Sequence, residues 1–388
     1  MKRCSGSANY YKKLFTMRIV IASDSYKGCL TSLEVANAIR EGILEAIPEC
    51  ETTCVAVADG GEGTVEAIVE NMRGKYVDVR VSGPLGNPVT ARYGIVRNTA
   101  VMEMAQASGL ALVPREQLNP MKASTVGTGQ MIMHAIDNGC REFLIGIGGS
   151  ATNDGGIGML SALGYRFLDS KGMELSPIGG NMIHICDIDA SGVSSLIKEC
   201  KFTVACDVDT PFYGKSGAAY VFAPQKGATP EQVELLDKGL ENLSNVIKRV
   251  TGKDISEMPG SGAAGGLGGA FSAFLNANLR PGIEMVLDSI DFDNIVKDAD
   301  IVITGEGQID SQTLRGKAPS GVYKYARRHN AKVFAFGGNV TPEAYDIGFD
   351  KVVRVSPESL PLSEAIKPEV ARENLRIAAS KIFSNYIK

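Results

Sequence analysis

Leu144–Leu160, "LIGIGGSATNDGGIGML", passes from aliphatic residues through a run of small and polar ones and back to aliphatic. A buried strand would end near Ile147 and a helix would begin near Ile157. Between them lie Gly148, Gly149, Ser150, Asn153, Gly155 and Gly156, with one carboxylate, Asp154. Two causes fit such a loop: a tight turn that packs a helix on a sheet, or a bed for an anion.

The same sentence is written elsewhere in the chain. "SDSYKG" (Ser23–Gly28), "ADGGEG" (Ala58–Gly63), "TGEGQID" (Thr304–Asp310) and "FGGN" (Phe336–Asn339) each close an apolar run, and "ACDVD" (Ala205–Asp209) closes another with acids. Ligands of parallel sheets bind at the carboxyl ends of strands. Five glycine loops so placed weigh against turns alone. The acids among them, Asp24, Asp59, Glu62, Asp154, Asp207, Asp209, Glu306 and Asp310, accompany Lys27, Lys226 and Lys317. Carboxylates oppose a phosphate unless they hold a divalent cation or accept a proton, and phosphoryl transfer needs both.

Around these loops the rhythm is α/β. "RIVIAS" reads as a parallel strand, and Thr31 with Glu34 forms a capping box ahead of an amphipathic helix. "TTCVAV" reads as the next strand, with a helix starting near Val65. Thr229, Pro230 and Gln232 open the longest helix, whose apolar face runs from Val233 to Val250 and which Gly252 ends. "SGPLGNPV" (Ser82–Val89) reads as a crossing between domains. "PGSGAAGGLGGAF" (Pro259–Phe271) reads as a linker, a ligand loop or close helix packing. The expected organisation is two α/β domains: a doubly wound, flavodoxin- or Rossmann-like parallel sheet from 17–82 and 290–388, with a second domain, 83–289, inserted into it. Residues 1–16 read as a disordered extension.

Composition narrows the function. A chain of 388 residues with a net charge of −4 has no global basic field for nucleic acid, and no apolar run is long enough to span a membrane. Eight scattered cysteines without a CxxC pair, and three histidines, weigh against a zinc site or a histidine triad. Without a secretory segment the thiols read as reduced and the protein as cytoplasmic. Gly214-Lys215-Ser216 and Gly316-Lys317 both fail as P-loops. Gly146–Ala151 does match the GxGxxA form of a dinucleotide fingerprint, with Asp169 about twenty residues on, so a nicotinamide-dependent hydroxy-acid dehydrogenase competes.

"SDSYKGCLTSLEVANAI", "ADGGEGTVEA", "GIGGSATNDGGIGMLSALGYRFLD", "ACDVDTPFYGKSGAAYVFAPQKGA", "GAAGGLGGAF" and "TGEGQIDSQTLRGKAPSGV" together resemble the type-1 glycerate kinase family, in order from Met17 to about Gly338. Where that family often has Asn-Pro-Leu, this chain has Thr210-Pro211-Phe212. The resemblance implies transfer of the ATP γ-phosphoryl group to D-glycerate with Mg²⁺. The product would be 2-phosphoglycerate, with 3-phosphoglycerate the alternative, made between two α/β domains. It leaves room for a homodimer. Loop position and charge then suggest roles. Asp207, before Asp154, is the candidate base, and Lys27 would meet a phosphate or the substrate carboxylate. Asp59 and Glu306 would hold Mg²⁺. Asp24, Gly60, Gly61, Gly148, Gly149, Ser150, Asn153, Gly155, Gly156, Gly305, Asp310 and Lys317 would bind substrate or nucleotide.

Overall fold

The computed structural model describes residues 17–311, 313–314 and 316–386; the expected N-terminal extension lies outside them. The strands, in chain order, are β1 (Arg18–Ile21), β2 (Glu51–Cys54), β3 (Lys75–Ser82), β4 (Pro88–Val96), β5 (Thr99–Glu103), β6 (Glu142–Gly146), β7 (Arg166–Leu168), β8 (Asp187–Asp189), β9 (Lys201–Ala205), β10 (Asn278–Arg280), β11 (Ile301–Ile309), β12 (Lys332–Val340) and β13 (Lys351–Arg354). They fall into two compact units. Of the described residues, one holds those up to Asp59, Glu66–Met72 and those from Val286 on; the other holds Gly60–Val65 and Arg73–Met285.

The first unit is a five-stranded sheet ordered β13-β12-β11-β1-β2, with every pair parallel. Numbered within the unit this is the flavodoxin-like order 2-1-3-4-5, whose switch point lies between β1 and β11. Ile19, Ile21, Ile301 and Ile303 are buried with Phe334 and Phe336. The Thr31–Glu34 capping box forms and starts the helix Ser32–Ala46. That helix packs on Pro368–Tyr386 so closely that a Cβ on Gly42 would lie 2.0 Å from the Arg376 carbonyl oxygen.

The second unit is a mixed sheet ordered β10-β9-β6-β5-β4-β3, antiparallel at the β3–β4 and β4–β5 pairs and parallel elsewhere. Phe143 and Phe202 stack with ring centroids 4.8 Å apart. The helix Pro230–Thr251 carries its Thr229–Gln232 box and ends on left-handed Gly252. Its face from Val233 to Ile247 is buried.

Two expectations are corrected and two open alternatives are decided. Residues 75–82 do not belong with the first sheet, because β3 pairs with β4 from Lys75↔Ile95 to Ser82↔Pro88. "SGPLGNPV" is therefore a hairpin turn, closed by Gly83 N–H to the Asn87 oxygen (2.6 Å), and not a crossing between domains. Of the three readings of "PGSGAAGGLGGAF", close helix packing is the one that holds. Ala264, Gly265 and Gly266 form a left-handed turn (φ 53°, 72° and 95°) that is packed closely. A Cβ on Gly265 would sit 2.3 Å from the Thr152 oxygen, and one on Gly269 would sit 2.8 Å from the buried Phe212 ring. Finally, β7 pairs with β8 in a separate two-stranded sheet. The strand that follows the Gly146–Ala151 loop and its helix thus does not return beside β6, as the βαβ unit of a dinucleotide fingerprint requires.

Candidate active site

In the first unit the switch point gathers acids and amines. Beyond β1 the chain stays alongside β11, with Ala22 N–H bonded to the Ile303 oxygen (2.7 Å) and Asp24 N–H to the Gly305 oxygen (2.9 Å). Only glycine fits at 305, since a Cβ there would approach the Phe336 oxygen to 2.1 Å. Ser32 Oγ donates to the Ser23 oxygen (2.6 Å) and accepts from Val57 N–H (2.9 Å), fastening the two strand ends. Asp24 is thereby held in a buried position, where Oδ1 accepts from Ser25 N–H at 2.7 Å. Burial first, and then the negative field of Asp59, push its carboxyl up to about 7, while Ser25 and Lys27 pull the other way.

Lys27 Nζ lies 3.7 Å from Asp59 Oδ2, both partly exposed. Glu306, within β11, accepts from Thr313 Oγ1 (2.9 Å) and lies 3.4 Å from Lys317 Nζ. The Thr313 oxygen accepts in turn from Asp310 N–H at 3.0 Å. Burial raises the Glu306 carboxyl and Asp310 adds to the effect; Thr313 and Lys317 oppose it. Thr313 is a participant the sequence reading missed, for a threonine three residues past an acid carries no signal of its own.

The second unit assembles a different group at the ends of β6, β9 and β10. A Cβ on Gly146 would lie 2.3 Å from the Gly60 oxygen, and one on Gly60 would lie 2.6 Å from Gly282 Cα and 2.7 Å from Ala205 Cβ. Backbone approach at those positions therefore demands glycine. Gly148 and Gly149 are exposed, and Gly61 packs beside Gly148. Asp207 is exposed, and its Oδ1 accepts from Gly282 N–H at 3.0 Å, at the start of the helix Gly282–Ser289. Glu103, also missed, is buried at the end of β5 and accepts from Val65 N–H at 3.0 Å.

The rest of the opening loop turns inward. Asp154 is fully buried, and its Oδ2 accepts from Thr125 N–H, Thr125 Oγ1 and Gly158 N–H at 2.8, 2.8 and 3.2 Å. Oδ1 accepts from Gly156 N–H at 3.2 Å. Burial raises this carboxyl and the four donors act against it. A carboxylate so saturated organises the loop and reaches no substrate, so the geometry removes Asp154 from the candidate bases. Gly155 and Gly156 are corrected likewise: their neighbours are Leu243, Met182, Ala270 and Leu267, so their left-handed backbone (φ +61° and +78°) serves packing. Asn153 is wholly buried as well.

Among the described residues, no three His, Cys, Asp or Glu side chains are grouped to hold a metal by themselves. Mg²⁺ ordinarily takes only one or two carboxylates and completes its shell with water and phosphate oxygens. Asp24 and Asp59 supply hard oxygens whose mutual repulsion a cation would relieve, and they fit that mode. No described helix is long and apolar enough to cross a membrane.

Acids and amines grouped toward the carboxyl ends of strands, in one parallel and one mixed sheet, define an α/β enzyme with its chemistry beyond the strands. The model of the "Glycerate kinase family" matches residues 19–387. A glycerate kinase of Halalkalibacterium halodurans is 45% identical over 93% of this chain and 98% of its own. The glycerate 2-kinase of Escherichia coli K12 is 43% identical over 94% and 98%. A crystal structure described as a candidate glycerate kinase 2 from Salmonella typhimurium LT2 superposes with a TM-score of 0.88 at 46% identity, covering 96% of this chain and 98% of that one. The chain belongs to the glycerate kinase family.

Proposed function

We propose that this protein transfers the γ-phosphoryl group of ATP to the 2-hydroxyl of D-glycerate, giving 2-phosphoglycerate and ADP. The observation that carries the reading is the gathering of Asp24, Lys27 and Asp59, beyond β1 and β2, with Glu306 of β11 and Lys317, around a flavodoxin-like switch point. Phosphoryl transfer is catalysed mainly by positioning and by neutralising charge, and amines interleaved with acids do both. The relatives named for glycerate phosphorylation, one of them at the 2-position, support the choice of substrate.

Asp59 and Asp24 would hold Mg²⁺, since Glu306 already answers Thr313 and Lys317. When bound, the cation supplies charge neutralisation to the phosphates. Lys27 and Lys317 would bind phosphate oxygens. Asp207 remains the candidate base: it is exposed, stands at a strand end, and has Oδ1 oriented by Gly282 N–H. It would accept the proton of the attacking hydroxyl. The glycine turn at Gly148–Ser150, with Gly60 and Gly61 beside it, would offer backbone N–H groups to an anion.

A coupled assay of ADP release with D-glycerate, followed by NMR of the product, tests the whole. Phosphate on C2 is expected. Phosphate on C3 would move the acceptor to the other hydroxyl, and no ADP release from folded protein would refute the reading.

A further inference from the structure

Lys226 is the one lysine in the buried interior of the described residues. Its Nζ donates to Ser150 Oγ and to the Thr152 carbonyl oxygen, both at 2.6 Å. Beside these contacts in sequence, Thr152 Oγ1 and both amide atoms of Asn153 are buried without a partner. Burial pushes the Lys226 amine down to about 7; Asp154 is the charged group that acts on it, and pulls the other way. The carboxylate of Asp154 is itself occupied by Thr125, Gly156 and Gly158.

Ser150, itself buried, directly follows the exposed turn Gly148–Gly149. The turn is fixed from one side by Leu110 N–H to the Gly149 oxygen (2.8 Å) and Ala151 N–H to the Ser108 oxygen (2.9 Å). The backbone N–H groups of Gly148, Gly149 and Ser150 find no acceptor among the described residues. Because Ser150 Oγ accepts from Lys226, its own proton is left to donate.

We propose that Lys226 is the buried counter-charge of an anion seat at Gly148–Ser150, where a phosphate or carboxylate oxygen takes the turn's N–H groups and the Ser150 hydroxyl. Ligand and ammonium then stabilise one another through Ser150, and binding draws a proton onto Lys226. The inference rests on the phosphoryl-transfer reading, whose two ligands are both anions.

The test is titration calorimetry on the full chain at pH 8, in two buffers of different ionisation enthalpy. D-glycerate forms one arm and a non-hydrolysable ATP analogue with Mg²⁺ the other. Lys226→Met keeps the apolar stem and buries no charge. It is expected to weaken whichever ligand occupies the turn at least tenfold, to remove part of its proton uptake, and to leave the other ligand within twofold. Should that variant fail to fold, ¹³Cε-lysine NMR of the wild type decides. One lysine titrating near neutrality should move up by at least one pH unit in one of the two complexes. Unchanged affinity and uptake in Lys226→Met, or a lysine titration that neither ligand moves, would overturn the proposal. Normal ADP release alongside that result would leave the kinase reading intact, whereas absent ADP release would count against the kinase reading first.

Discussion

Thr125 gives both its backbone N–H and its hydroxyl to a single oxygen of Asp154, each at 2.8 Å. The same hydroxyl accepts from Met159 N–H at 2.8 Å, so its proton is directed to the carboxylate. The pair clamps the start of the helix Ile157–Ala162 to the start of Val126–Asp137. Asp154→Asn would turn an amide N–H₂ toward donors. It should destabilise the protein by about 3 kcal/mol in urea unfolding, while activity per folded molecule changes little. A thousandfold loss of kcat with stability intact would return Asp154 to the chemistry.

Asp24 carries the opposite signature. Its folded-state pKa, about 7, lies above the ordinary 3.8, so the native state prefers the neutral carboxyl. The stability this group contributes is complete below pH 3.8 and is lost as pH rises towards 7. Asp24→Asn removes that loss. In EDTA the variant should match the wild type near pH 4 and exceed it at pH 8, by on the order of a few kcal/mol. Parallel pH–stability curves would show that Asp24 does not titrate this way.

Asp207→Asn keeps an oxygen to accept from Gly282 N–H, so thermal unfolding should be almost unchanged. Loss of the base should lower kcat by about 10²–10⁴. A near-normal kcat would remove Asp207 from the mechanism.

Lys317 and Glu306 form a pair in which the lysine is partly exposed and the carboxylate largely buried, with Thr313 still donating to the carboxylate when the lysine is lost. Such a pair adds on the order of 1 kcal/mol to stability. Lys317→Met is expected to leave the unfolding midpoint nearly in place and to raise KM for ATP about tenfold, through loss of one phosphate contact. An unaltered KM would place the nucleotide elsewhere.

Gly60→Ala should be among the most disruptive single changes. The added methyl meets Gly282 Cα at 2.6 Å and Ala205 Cβ at 2.7 Å, on a backbone at φ +91°. Overpacking with left-handed strain should destabilise by about 2–4 kcal/mol in chemical denaturation. Gly28→Ala has the same left-handed backbone with open space around it, and should cost about 1 kcal/mol.

Local physics was legible in the residues themselves. Both capping boxes form where Thr31 and Thr229 stand, because cap and partner are only three residues apart and their hydrogen bonds need nothing distant. The apolar periodicity from Val233 onward marks a buried helical face for the same reason. Aliphatic runs ending in glycine and acid located the ends of β1, β6 and β9, but β11 and β12 run on through Gly305–Ile309 and Gly337–Val340, where the two strands pair, so those two motifs are not loops. The family motifs, spread over the chain, named the chemistry. Pairing was not legible. An antiparallel hairpin and a crossing between domains both call for proline and glycine, so "SGPLGNPV" took β3 from its own sheet. Asp154 and Asp207 look alike as acids after strands. One is saturated by its own following turn and by Thr125, 29 residues away, and the other is exposed. Lys226 meets Ser150 across 76 residues, a relation no spacing announces. Residue order alone thus determined the helices, several strand ends and the kind of groups offered to a ligand, since short-range hydrogen bonds and periodicity encode these. The tertiary structure alone decided which acids and glycines face outward and which are spent on packing, because burial depends on which strands and helices lie side by side.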